Sequence, residues 1–102
     1  MYRIPILNLG SKWSETVDIN NNLYRFHFAW NVNCNYWELS ITDDYNNLIV
    51  GGIRVILNVN MLDEYAYMLD FSLTCLPKND KREITLDNFA DEFELIVRFD
   101  EE

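Results

Sequence analysis

A chain of 102 residues with 49% hydrophobic and 15% aromatic side chains can fill one core but not two, since single cores usually run to about 100 to 150 residues. Three Gly and two Pro beside 25% charged residues exclude a collagen-like, linker-like or disordered chain. Eight Lys and Arg against 17 Asp and Glu leave a formal charge of −9, which disfavours nucleic acid and anionic membranes, because both demand clustered cations.

The first segment alternates Tyr2, Ile4 and Ile6 with Arg3 and Pro5 and predicts a strand, which Pro5 assigns to a sheet edge because it cannot donate to a ladder. Val17 and Ile19 alternate with Asp18 before the turn Asn20-Asn21-Asn22. From Leu23 to Trp30 the period is two, with Tyr24, Phe26, Phe28 and Trp30 on one side and Arg25 and His27 on the other. Across the loop Asn31 to Asn35, Trp37, Leu39 and Ile41 again share a side opposite Glu38, Ser40 and Thr42, so the two segments form an antiparallel hairpin. Asp43 to Asn47 is a further turn. It leads into the apolar segment Leu48 to Leu57, with a bend or bulge at Gly51-Gly52.

One segment has helical spacing: Asn60 is placed to cap a short helix carrying Leu62, Tyr65, Ala66 and Leu69, with Asp63 and Glu64 in its first turn. Phe71, Leu73 and Cys75 then alternate as a strand that Pro77 stops. Lys78 to Arg82 is a polar loop, and Lys78, Lys81 and Arg82, interrupted by Asp80, are the densest basic patch. A helical turn within Leu86 to Glu92 precedes a last strand with Phe93, Leu95, Val97 and Phe99, and the tail Asp100-Glu101-Glu102 is solvated. Six or seven short strands predict a single all-β domain over residues 1–102, mainly an antiparallel sandwich or partly open barrel, with one or two short helical turns. Its core is expected to hold Tyr24, Phe26, Phe28, Trp30, Trp37, Leu39, Ile41, Leu95 and Val97.

No catalytic constellation emerges. His27 is the one histidine, and general-base work needs a second positioned group that its neighbours Arg25 and Ala29 do not supply. Cys34 and Cys75 show no nucleophile motif, and a buried free Cys75 is preferred to a disulfide. Zinc needs three or four Cys or His ligands at fixed spacing. Asp43, Asp44, Asn46 and Asn47 lack the Gly and distal Glu of an EF-hand and read as a solvated turn. Gly51-Gly52 has no following Lys-Ser or Lys-Thr of a phosphate loop, and Asp63-Glu64 and Asp91-Glu92 read as helix-start charges before catalytic pairs. No cofactor, metal or small-molecule substrate is implied. No apolar run reaches the 18 or so residues of a membrane span, and the opening Met1 to Pro5 lacks signal-peptide organisation, so synthesis in a cytoplasm is expected. Trp13, Tyr36 and Tyr45 fall outside the apolar faces, and exposed aromatics mark interfaces.

The motifs Tyr24-Arg25-Phe26-His27-Phe28-Ala29-Trp30-Asn31 and Trp37-Glu38-Leu39-Ser40-Ile41-Thr42-Asp43 resemble those of the baseplate plug family of tailed phages and prophages. The opening Tyr2-Arg3-Ile4-Pro5-Ile6, the strand Ile49-Val50-Gly51-Gly52 and the capped segment Asn60-Met61-Leu62 are similar too, so the resemblance covers roughly residues 1 to 70. Two positions depart from the family pattern: Asp43-Asp44-Tyr45-Asn46-Asn47 replaces an Asp-x-x-Gly turn, and Asn60-Met61-Leu62 replaces Asp-Leu-Leu. The resemblance implies a non-enzymatic component of a contractile-tail baseplate that contacts hub or spike proteins, or a further copy of this chain. It supplies no active-site residues. Pro5, Trp13, Tyr36, Asp43, Asp44 and Tyr45 are the candidate interface residues, through strand edges, aromatics and steering charges. A stand-alone β-sandwich module that stacks carbohydrate or peptide on Trp13, Tyr36 and Tyr45 is the rival reading, and an acidic mimic of nucleic acid is a third.

Overall fold

The computed structural model describes residues 2–7, 10–65, 68–80 and 83–99. Among these residues, seven strands form two antiparallel sheets: β1 (Tyr2–Ile4), β2 (Lys12–Ile19), β3 (Asn22–Asn31), β4 (Tyr36–Asp43), β5 (Leu48–Arg54), β6 (Phe71–Pro77) and β7 (Phe93–Phe99). One sheet has the order β2-β3-β4-β5 and the other β1-β7-β6. The four-stranded sheet is a meander of hairpins, which local turn chemistry can build. The three-stranded sheet joins the two ends of the chain and leaves β1 at its edge, as Pro5 just beyond it requires.

Asparagine sets the turns. Asn20 and Asn21 adopt φ of 53° and 68°, the paired positive values of a two-residue type I′ hairpin, closed by the opposed residues Ile19 and Asn22. Between β3 and β4 the side-chain oxygen of Asn31 accepts the backbone N–H groups of Asn33 and Cys34 at 3.0 and 3.2 Å, and Asn35 takes φ of 57°. Asn tolerates this region because its short polar side chain bonds locally. The register then pairs Phe28 with Leu39 and Trp30 with Trp37, as the two alternating faces predict.

The facing sides of the sheets bury Phe26, Phe28, Trp37, Leu39, Ile41, Leu73, Cys75, Leu95 and Val97. Trp37 is the largest fully buried side chain. Its ring stacks on Phe89 at 5.3 Å, meets Trp13 and Trp30 edge-on at 6.4 and 5.6 Å, and donates Nε1–H to the Thr85 carbonyl at 3.2 Å. Phe89 belongs to α1 (Phe89–Glu92), a single turn entered through reciprocal bonds between Thr85 and Asn88. Tyr24 and Trp30, expected in the core, are only half-buried and pack against it. They sit near the two ends of β3, where the opposite sheet no longer covers the strand fully; Tyr24 still reaches Phe71 across the sandwich at 5.3 Å.

Three further expectations are corrected. Trp13 is 5% exposed and stacks on Phe28 at 4.3 Å, because β2 starts at Lys12 and turns Trp13, Glu15, Val17 and Ile19 to the same side. Among the described residues, the helix expected after Asn60 is one 3₁₀ turn, Asp63–Tyr65. Asn60 does cap it, accepting from Leu62 N–H at 3.0 Å, but the same oxygen accepts from Leu73 N–H at 3.1 Å and Met61 N–H bonds to the Leu73 carbonyl. These ties to β6 hold the chain down, and Leu62 and Leu69 enter the core from turns. Finally, β5 stops at Arg54 instead of Leu57, after register shifts against β4 on either side of Ile41; Gly52 adopts φ of 70° there. Ala66, Lys81, Arg82 and the tail 100–102 lie outside the described residues.

Candidate functional site

The candidate interface residues do not converge. Tyr36 begins β4 and Asp43 ends it, so at about 3.3 Å per residue they stand roughly 23 Å apart. Pro5 is exposed beside a recess of about 150 Å³ that Lys78, Phe93 and Glu94 also line. Trp13 is excluded as a surface contact by its burial.

At the Asp43 end, the turn is built by one carboxylate. Asp43 Oδ1 accepts the N–H groups of Tyr45 and Asn47 at 2.8 and 2.9 Å, and Oδ2 accepts from the Asn47 side chain at 3.0 Å. Asn46, at φ of 64°, accepts from Arg25 Nη1 at 3.2 Å and ties the turn to β3. The carboxyl is held below the usual carboxylate range, first by the Asn47 backbone N–H, then by the Asn47 side chain, with Tyr45 N–H adding to both. This scaffold lifts Tyr45 to 83% exposure, with Leu48 at 67% and Leu23 at 44% nearby in sequence and sheet. A groove of about 530 Å³ is lined by Leu23, Tyr24, Tyr45 and Ile49 together with Asp43 and Asp44. Its lining is both apolar and acidic, which suits a partner surface that is apolar and basic.

Replacing Asp43 with alanine is expected to lower the denaturation midpoint and to remove a dependence on acid. A depressed carboxyl contributes stability above its unfolded pKa, which is lost as pH falls through the lower folded value. Urea melts at pH 3 and pH 7 should therefore show a smaller loss of stability in acid for Asp43→Ala than for the parent. Equal divergence in both would refute the role given to this side chain.

At the Tyr36 end, the Arg54 guanidinium lies over the Tyr36 ring at 4.9 Å, a cation–π contact that keeps this tyrosine half-covered. A groove of about 280 Å³ opens beside it, lined by Trp37, Val55, Ile56, Glu83 and Ile84. Tyr36 thus walls a groove, whereas Tyr45 projects.

The histidine has partners that the sequence does not reveal. Ser14 Oγ lies 2.8 Å from His27 Nδ1, and Thr42 Oγ1 lies 2.9 Å from Nε2. Burial foremost, then the Arg25 and Lys12 charges, pull its pKa below the ordinary value, so the ring is neutral at pH 7 and either nitrogen can donate to a hydroxyl. The Ser–His distance fits a nucleophile and base, but Nε2 rests on a hydroxyl in place of an orienting carboxylate, and the trio lies outside both grooves. It is a cross-strand polar ladder. Cys34 is exposed, and burial pushes the Cys75 thiol up to about 12, far from a reactive thiolate. Among the described residues there is no group of three or more His, Cys, Asp or Glu able to hold a metal ion, and no helix is long and apolar enough to cross a membrane.

The sequence matches, over residues 1–100, the model of a protein family described as cyanophage baseplate Pam3 plug gp18. The chain belongs to this baseplate plug family. The match runs through β6, α1 and β7, beyond the roughly 70 residues whose motifs show the likeness by eye. No curated protein matches the sequence. Membership in the plug family gives the chain a structural part in a phage baseplate and an association with other baseplate proteins. The exposed apolar residues Leu23 and Leu48 were missed as candidates; the signal was Leu23 sharing the parity of Arg25 and His27, the polar side of β3.

Proposed function

We propose that this protein is a non-enzymatic plug or connector at the centre of a phage or prophage contractile-tail baseplate, working through contacts with hub or spike proteins. The family match over residues 1–100 carries this reading, and the groove beside Tyr45 supports it with a lining of apolar and acidic residues suited to a basic partner surface. The host cytoplasm is the place of synthesis in this reading, and the tail baseplate the place of work. The carbohydrate-binding alternative loses one of its three stacking aromatics, since Trp13 lies in the core.

Co-expression with the hub and spike proteins of the same tail cluster should yield a co-purifying complex that assembles more slowly as salt rises, because rim charges act on encounter. Tyr45→Ala should weaken it by about 1 to 2 kcal/mol, as for an exposed aromatic that becomes buried in an interface. A chain that binds none of these proteins at low salt, and is absent from assembled tails, refutes the reading.

A further inference from the structure

The four sheet edges differ in how they are closed. β1 is three residues long and is followed by Pro5. The outer edge of β6 is occupied: Asn58 and Met61 donate to the Cys75 and Leu73 carbonyls, and Asn60 accepts from Leu73 N–H. β5 carries two register shifts against β4, and bulges twist an edge away from pairing. β2 alone is long and regular, with eight consecutive pairs to β3 and, among the described residues, no strand on its other side.

The parity of that edge follows from one bond. Trp30 N–H donates to the Ser11 carbonyl at 2.8 Å, so Ser11 and, by alternation, Trp13, Glu15 and Val17 direct their backbone groups toward β3. Lys12, Ser14 and Thr16 then direct theirs outward. An antiparallel strand added there would bond Ser14 and Thr16 and would set one of its residues opposite Glu15 in the closer, non-hydrogen-bonded pair.

That position is chemically incomplete. Glu15 points to the inner side beside Trp13 and Val17. Its Oε1 is buried without a hydrogen-bond partner, as is Trp13 Nε1 two residues away. Burial raises the Glu15 carboxyl from 4.5 to about 7, and no cation among the described residues offsets it.

We propose that the free edge of β2 receives an extended segment of another baseplate protein as an added strand, with a Lys or Arg of that segment facing Glu15. The inference rests on the baseplate reading above and names the mode of contact. A cation at that place supplies the partner Oε1 lacks, and the formal charge of −9 favours a basic segment. A second copy of this chain fits poorly: paired about a two-fold axis at Glu15, it would oppose two carboxyls.

The test uses the full chain and the co-purified complex. Hydrogen exchange should show the Ser14 and Thr16 amides protected in the complex and open in the free protein. Thr16→Pro removes an outward N–H while sparing the ladder to β3, and should weaken the complex at least about tenfold. Glu15→Gln keeps the shape and removes the charge; it should weaken the complex by about tenfold and flatten its salt dependence. If both variants melt no lower than the parent and bind as the parent does, strand addition is overturned while the baseplate reading stands. Protection of Ser14 and Thr16 in a homodimer without partner overturns it in favour of self-pairing. Failure of every baseplate protein to bind the parent removes both readings.

Discussion

Trp37→Ala is expected to remove about 3 to 5 kcal/mol of stability, the range for truncating a buried large aromatic. Trp37 is fully buried and touches Trp13, Trp30 and Phe89 at once, so its loss opens a cavity between the four-stranded sheet and α1. It also leaves the partly buried Thr85 carbonyl without its donor, which adds to the cost because an acceptor shielded from water and left unpaired is itself unfavourable. A domain of this size holds about 5 to 15 kcal/mol in all, so the variant should unfold at much lower urea with a similar slope. Trp37→Phe, which keeps a ring on Phe89 but not the hydrogen bond, should fall between. A loss under about 1 kcal/mol for the alanine variant would contradict the central packing role.

Glu15→Gln should stabilise the free protein at pH 8 and do nothing at pH 4. The carboxyl has its pKa raised from 4.5 to about 7 in the folded state, so between those values the native chain holds a proton that the unfolded chain has released. Stability contributed by the group therefore falls as pH rises through this window, absent as a penalty below it and complete above it. The whole shift would correspond to about 3 kcal/mol, but the side chain is half open to water, which screens the charge, and about 1 to 2 kcal/mol is expected. Urea titrations of parent and variant from pH 4 to 8 measure the gap directly. A gap that stays constant with pH would show that Glu15 does not titrate in this window. The free protein thus carries a carboxylate at a cost that a bound cation would relieve, and the same substitution that stabilises the monomer should weaken the complex.

The sequence by itself determined the parity of β3, β4, β6 and β7, because their inner positions are unbroken apolar series and a half-buried strand repeats every two residues. It also determined the turns at Asn20, Asn31 and Asp43, where the residue types bond locally and tolerate positive φ. The family likeness was legible for the same reason: it lies in those strands and turns. The tertiary structure decided what depends on residues far apart in the chain. The alternation of β2 is plain in the sequence only from Val17 onward, since Glu15 interrupts the apolar series, and its place at a sheet edge is set by the tertiary fold. The spacing from Leu62 to Leu69 is helical, yet Asn60 is drawn to Leu73 of β6, and that pairing outcompetes a short helix with little stability of its own. Tyr36 and Tyr45 both adjoin Asn-rich turns in sequence. Arg54, brought alongside by the pairing of β4 with β5, covers the first, and among the described residues no such cation covers the second, which stands 83% exposed.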